Sequence, residues 1–161
     1  MPQKIKYQTT TISAEQSAGQ IGQLIGKYGA REFTQLWDDD GQLSGIRFIM
    51  KDQLYGGIVP VKLYARTETI FDILTESGLH RRDAEARSEQ AYRIAWRQLK
   101  DVVEQLLLAV RTGLFSLAEA FMAGVVIETP EGERTLGEYI AEAQPELSRS
   151  GRALKLLGSG R

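Results

Sequence analysis

The hydrophobic residues of this chain change their spacing near residue 66, and the change predicts two structural regions. Residues 1–66 hold short runs of alternating apolar and polar residues, separated by turns that contain Gly and Asp. That pattern is typical of antiparallel strands. Residues 67–147 instead repeat apolar residues every three or four positions, as amphipathic helices do. We therefore predict one α+β domain over residues 1–147, with a sheet region (residues 1–66) and a helical region (residues 67–147).

The sheet region is predicted to have the element order β-α-β-β-β. The first strand covers residues 5–12 (IKYQTTTI), which are rich in β-branched residues. Ser13 then begins a capping box with Gln16, which opens a helix that runs to about Tyr28. Three further strands are predicted over residues 31–37, 43–50 and 58–66. The sheet is mostly antiparallel in this prediction, and the helix lies on one of its faces.

Small residues and a proline add two expectations about packing. Ala18, Gly22 and Gly26 recur every fourth residue within the predicted helix. An interior glycine costs a helix about 1 kcal/mol relative to alanine, so we expect the helix to gain from a close approach to the sheet. Pro60 has no N–H to donate to a neighbouring strand, which predicts that its strand lies at an edge or is kinked.

The helical region begins with a short helix after Thr67 that ends at Gly78. Residues 81–112 contain neither glycine nor proline, which predicts one long helix. Two more capping boxes, Ser116–Glu119 and Thr135–Glu138, open a short helix and a last helix that ends by Pro145. Residues 125–130 are predicted to be a short strand or extended piece. Residues 148–161 form a basic tail that we predict to be mobile.

An apolar seam runs along the long predicted helix. Its residues advance by alternating steps of four and three, the spacing of a helix that packs lengthwise on another helix. They are Tyr92, Trp96, Leu99, Val103, Leu106 and Val110. Neighbouring cations (Arg93, Arg97 and Lys100) permit a second interpretation, in which Trp96 stacks on nucleic-acid bases. We predict that Trp96 is buried, and that some of this broad surface forms an interface between subunits.

Composition narrows the chemistry that this chain can perform. The net charge is −1, the chain has no cysteine, and His80 is its one histidine. Disulfides, thiolate nucleophiles and cysteine-based metal sites are therefore excluded, and no catalytic set or cofactor motif can be assembled. The longest unbroken apolar run, Leu106 to Val110, is far too short to span a membrane. We predict a cytoplasmic protein that is not an enzyme and holds no cofactor.

Four short motifs could still bind a ligand, although each has a simpler structural interpretation. Gly26-Lys27-Tyr28-Gly29 is similar to the GxxG loop of KH domains, whose backbone binds phosphates. The simpler interpretation of these residues is a helix C-cap. Asp38, Asp39 and Asp40 could hold a hard cation, but three acids in a turn are more often solvated turn formers. Glu68, Asp72 and Glu76 lie on one helical face and could form half of a carboxylate site, but solvated helix surface is the simpler interpretation. His80 could contact a phosphate or act as a hinge.

Several segments together resemble a group of small proteins of tailed bacteriophages and prophages. They are TISAEQ, IGQLIGKYGA, DDDGQLSGIRF, AWRQLKDVVEQLLLAVRTG and GERTLGEYI, which lie between about Thr10 and Ile140. The resemblance implies a phage setting, in which small non-enzymatic proteins often handle DNA, inhibit host factors or bind defence signals. It assigns no role to any residue of this chain.

The function that we predict from the sequence is non-enzymatic nucleic-acid binding in phage replication or recombination, with single-stranded DNA as one candidate ligand. Cations and an aromatic residue on predicted strands resemble the platforms that hold single strands. The candidate residues are Arg47, Lys62, Tyr64 and Arg66 on strands and Arg149, Arg152 and Lys155 in the tail. The alternatives are a protein–protein interaction module, as a homo-oligomer or an inhibitor of a host factor, and a binder of small nucleotides.

Overall fold

The computed structural model describes the backbone of residues 4–150 and the side chains of residues 4–143. Its elements in chain order are α1 Ala14–Lys27, β1 Glu32–Trp37, β2 Leu43–Lys51, β3 Ile58–Tyr64, α2 Glu68–Ser77, α3 Ala84–Arg111, α4 Leu117–Ala120, a 3₁₀ turn Met122–Gly124, β4 Val126–Thr129, β5 Gly132–Thr135 and α5 Leu136–Ser150. The α+β class, the three-stranded antiparallel sheet, the long helix and the helical C-terminal region are confirmed. Within the described chain, no helix is both long and apolar enough to cross a membrane.

The sheet has the strand order β1-β2-β3, and both strand pairs are antiparallel. Strand β3 therefore lies at an edge of this sheet, as Pro60 predicts. The inner face carries Phe48, which pairs with Phe33 on one side and Val61 on the other. Phe48 and Val61 are fully buried, together with Ile21 and Ile25 of α1. One helix thus covers one face of the sheet, as expected.

Helix α1 approaches β1 through Gly22. A Cβ atom added at Gly22 would lie 3.0 Å from Cε1 of the Phe33 ring, closer than an ordinary contact. Ala18 is fully buried, whereas Gly26 is exposed and has open space around it. The expected close approach to the sheet therefore holds for Gly22, whereas Ala18 is buried and Gly26 faces open space.

The strand predicted over residues 5–12 is wrong. This segment forms turns, and Tyr7 has a left-handed backbone with a φ of 69°. The side-chain amide of Gln90 donates hydrogen bonds to the carbonyl oxygens of Gln8 and Thr10, both at 3.0 Å. Because a glutamine of α3 satisfies these carbonyls, the segment lies across α3 and does not pair with the sheet. The first strand of the predicted β-α-β-β-β order is therefore replaced by this turn segment.

The apolar seam of α3 lies in the core. Trp96 and Val103 are fully buried, and the other seam residues pack around them. The hydroxyl of Tyr92 donates a hydrogen bond to the carbonyl oxygen of Leu43, 2.7 Å away. The interpretation of Trp96 as a buried anchor is confirmed.

The C-terminal region contains a second hairpin, in which β4 pairs antiparallel with β5. Only the first strand of this hairpin is predicted by the sequence, since Gly-Glu-Arg-Thr of β5 is short and polar. Both capping boxes form as predicted. The prediction that the last helix ends by Pro145 is wrong, because α5 continues to Ser150. Pro145 removes one hydrogen bond, to the carbonyl of Ala141, and Ala141 is exposed so that water can replace it.

Candidate functional site

Three of the residues proposed for nucleic-acid binding come together on the outer face of the sheet. Arg47 of β2 pairs directly with Lys62 of β3. Tyr64 pairs with Gly45, two residues along the same strands, and therefore lies on the same face. Arg66 is exposed and follows the end of β3. We call Arg47, Lys62 and Tyr64 the sheet-face site.

The cations of the sheet-face site are already paired with an acid. Glu133 of β5 accepts a hydrogen bond from Nζ of Lys62 at 3.1 Å, and its other oxygen lies 3.8 Å from Arg47. The hydrogen bond and the charge of Lys62 hold the pKa of Glu133 below its usual range. The side chains of Arg47 and Lys62 are 29% and 20% exposed. The single carboxylate of Glu133 therefore offsets one of the two positive charges of this face.

The hairpin of β4 and β5 brings Glu133 to this face. Val125, just before β4, forms an antiparallel bridge with Val61 at the edge of β3. Gly124 makes the approach possible, because a Cβ atom there would lie 2.7 Å from the carbonyl oxygen of Lys62. Of the three proposed tail residues, Arg152 and Lys155 lie outside the described residues, as does the side chain of Arg149.

A second surface, which we did not predict from the sequence, lies at one end of the molecule. Two loops, residues 52–57 after β2 and residues 112–116 after α3, expose large apolar side chains. These residues, together with the first residue of β3, are Leu54, Tyr55, Ile58, Leu114 and Phe115, and we call them the loop-end patch. Leu54 is 63% exposed and Tyr55 is 74% exposed. Leu54 and Phe115 line the same pocket, so the two loops are neighbours.

A buried carboxylate connects the first loop to the end of the second. Asp52 is 3% exposed, and its Oδ1 accepts hydrogen bonds from the backbone N–H of Leu54 at 2.9 Å and of Tyr55 at 3.3 Å. Its Oδ2 accepts a longer bond, 3.4 Å, from the N–H of Ala118 in α4, which directly follows the second loop. The backbone of Asp52 is also bonded to Gly56 and Gly57, which closes the first loop. The loop-end patch thus rests on an ordered backbone.

A groove of about 720 Å³ lies beside α3, where the N-terminal segment crosses it. Asp101 accepts hydrogen bonds from Lys6 at 2.5 Å and from the Tyr7 hydroxyl at 2.6 Å. Burial alone would raise the pKa of Asp101, but these two bonds outweigh it and hold the pKa below its ordinary value. The same bond from Lys6 raises the pKa of the lysine. These contacts attach the N-terminal segment to α3.

In the structure, each short motif has the simpler structural role and not the ligand-binding one. Gly29 has a φ of 85° after the end of α1 and β1 follows at Glu32, so GKYG is a helix end and a strand stands where a KH loop needs its second helix. The Asp38 carboxylate accepts hydrogen bonds from two backbone N–H groups of its own turn. Glu68, Asp72, Glu76 and His80 are exposed. Among the residues that the structure describes, no group of three or more acids and histidines could hold a metal ion.

The residues proposed as an interface pack against the chain's own core. Tyr92, Leu99, Leu106 and Val110 are half-buried there, while the exposed apolar residues of α3 are Val102 and Leu108, off the seam. The sequence signal for the loop-end patch is a pair of apolar dipeptides beside glycine in the loops DQLYGG and TGLFS. No protein-family model matches this chain, and no curated protein and no solved structure is significantly similar to it.

Proposed function

We propose that this protein is a non-enzymatic protein–protein interaction module that associates with a second copy of itself through the loop-end patch. The observation that carries the proposal is the exposure of four large apolar side chains on two adjacent loops, with Ile58 exposed at the start of the next strand. A contiguous apolar patch on a globular protein usually marks an interaction site, whereas scattered exposed residues do not.

Order in the loops supports the proposal. Asp52 accepts backbone hydrogen bonds from the first loop and from α4, which follows the second, so the first loop and the position of α4 are restrained before any partner arrives. A surface that is already ordered loses less conformational entropy on binding, which leaves more of the apolar burial as net affinity.

Charge around the patch supports a second copy as the partner. The nearby cations are Lys51, opposite Ile58 in the sheet, and Arg111, which lines the pocket with Leu54 and Phe115. The nearby acids are Asp52 and Glu119, the latter bonded to Ser116. Two cations and two acids cancel, and the net charge of the chain is −1. Two copies can therefore meet at this surface without net repulsion.

The test is the molecular mass in solution across a range of protein concentrations. We expect a concentration-dependent dimer, and we expect Leu54→Asp or Phe115→Asp to weaken it by about tenfold or more, as loss of a central apolar contact does. Val102→Asp is the matched control, because Val102 is an exposed apolar residue outside the patch. A parent protein that stays monomeric at every concentration contradicts the proposal.

A second candidate function, binding of single-stranded nucleic acid, is supported by the juxtaposition of Arg47, Lys62 and Tyr64 on one face. Cations that hold phosphates beside an aromatic ring that stacks on a base are the elements of such a site. We expect affinity for a short oligonucleotide to fall as salt rises, because neutralised phosphates release counterions. Tyr64→Ala and Arg66→Ala should both weaken binding. Absence of binding at low salt contradicts this candidate.

The setting that we propose is the cytoplasm of an infected or lysogenic bacterium, on the basis of the resemblance to small tailed-phage proteins. In that setting a host protein is the alternative partner for the loop-end patch. Mass measurement of the dimer during titration with purified host proteins would reveal one that competes with self-association.

A further inference from the structure

Arg47 and Lys62 present two like charges directly opposite each other on neighbouring strands. Like charges in this position destabilise a sheet, so the pair requires a nearby anion. Glu133 supplies that anion, with one carboxylate oxygen towards each cation. The sheet-face site therefore already binds a carboxylate, which comes from a distant segment of the same chain.

Water or a competing anion can replace Glu133 at the two cations, because the contact is exposed. The Glu133 side chain is 47% exposed, and an ion pair this exposed contributes little to stability. Glu128 lies directly opposite Glu133 in the β4–β5 hairpin, and this second acid repels the carboxylate. Glu133 is thus held near the two cations by a weak interaction.

We infer that Arg47 and Lys62 form an anion-binding site that Glu133 occupies in the free protein, and that a phosphate group of single-stranded nucleic acid displaces Glu133. The inference rests on the second candidate function and names how that site is regulated. When the phosphate binds, the carboxylate turns towards solvent and no covalent bond changes.

Tyr64 favours nucleic acid as the source of the phosphate. Its ring is partly exposed on the same face, two residues along β3 from Lys62, a span of about 7 Å along a strand. One nucleotide covers such a span between its phosphate and its base, so a base can stack on Tyr64 while the phosphate lies between Arg47 and Lys62.

The experiment measures the binding of a fluorescent single-stranded oligonucleotide to the full chain at low salt. We expect Glu133→Gln to bind about two- to fivefold more tightly than Glu131→Gln, which matches the strength of an exposed ion pair. Glu131→Gln is the matched control because Glu131 lies in the same hairpin, is 71% exposed and pairs with Arg134. The two substitutions change the net charge equally.

A third variant tests whether the gain arises at the proposed site. In the background of Glu133→Gln, Lys62→Ala should remove the gain in affinity. It should also reduce the slope of log affinity against log salt concentration by about one, the value for one phosphate contact. Equal affinities for Glu133→Gln and Glu131→Gln would overturn the displacement by phosphate while leaving nucleic-acid binding in place. Absence of binding by all variants would overturn both.

Discussion

Tyr64 lies against Gly45 across β2 and β3, so closely that the structure has no space for a side chain at Gly45. A Cβ atom there would lie 2.9 Å from Cδ1 of the Tyr64 ring and 2.5 Å from the carbonyl oxygen of Leu63. An aromatic ring that covers a strand glycine compensates for the side-chain packing that glycine lacks.

We expect Gly45→Ala to lower the free energy of unfolding by about 1–3 kcal/mol, because a backbone oxygen must move to admit the methyl group. Chemical denaturation measures the change. Gly26→Ala is the control: Gly26 lies in α1 with open space around it, so this variant should be slightly more stable than the parent, by up to about 1 kcal/mol. Equal stabilities for the two variants would contradict the contact.

Gln90 holds the N-terminal segment on α3. Its side-chain amide donates hydrogen bonds to two carbonyl oxygens, so Gln90→Ala should lower the free energy of unfolding by about 1–2 kcal/mol. It should also speed hydrogen exchange at the N–H of Thr10, whose turn bond to Tyr7 depends on this attachment. Gln105→Ala, at an exposed position of the same helix, should change neither quantity. Unaltered exchange in Gln90→Ala would show that the segment is held by its apolar contacts.

The Asp101 carboxylate predicts a dependence of stability on acid pH. Its pKa in the folded chain is below the ordinary value of 3.8, so its stabilisation is complete above that value and is lost as the pH falls through the folded-state pKa. Asp101→Asn should remove this dependence and cost about 1–2 kcal/mol at neutral pH. Urea denaturation of both proteins between neutral and acid pH measures it. Parallel stability profiles would contradict the role of this carboxylate.

The bond from Lys6 to Asp101 leads us to expect that stability falls as the pH rises in the alkaline range. Its pKa is raised above 10.5, so the stabilisation by its bond to Asp101 is present below that value and is lost as the pH rises through the folded-state pKa. Lys6→Gln should weaken the dependence at high pH, as measured by urea denaturation in alkaline buffers. Lys4→Gln, an exposed neighbour in the same segment, serves as the control for the charge change.

Asp52 predicts a linked effect on the two loops of the loop-end patch. Asp52→Ala removes the acceptor of the N–H groups of Leu54 and Ala118, and should cost about 2–3 kcal/mol. Limited proteolysis should then cut more rapidly after Leu54 and after Leu114 together. Asp39→Ala, in an exposed turn, should leave both cleavage rates unchanged. Faster cleavage in the first loop alone would mean that the bond to Ala118 contributes little.

The elements that the sequence predicts well are those that local rules determine. Periodic apolar residues and capping boxes locate α1, α3 and α4, and Asp-Gly marks the turn between β1 and β2. A strand is wrongly predicted over residues 5–12 because their β-branched composition favours one. In the structure, backbone carbonyls of this segment instead accept hydrogen bonds from Gln90, some 80 residues away. A long-range hydrogen bond of this kind leaves no local signal.

The candidate sites show the same limit. Alternation along β3 places Lys62 and Tyr64 on one face, as the structure has them, because side chains alternate along a strand. It does not reveal that Glu133, from a hairpin about 70 residues further on, faces them. The role of Asp52 is equally hidden in the sequence, because the N–H groups that it accepts from lie in two separate segments.

The bonds of Asp52 make the conformation of the first loop depend on the position of α4, which directly follows the second. A transplant of either loop into another scaffold would carry the side chains without the carboxylate that sets their spacing.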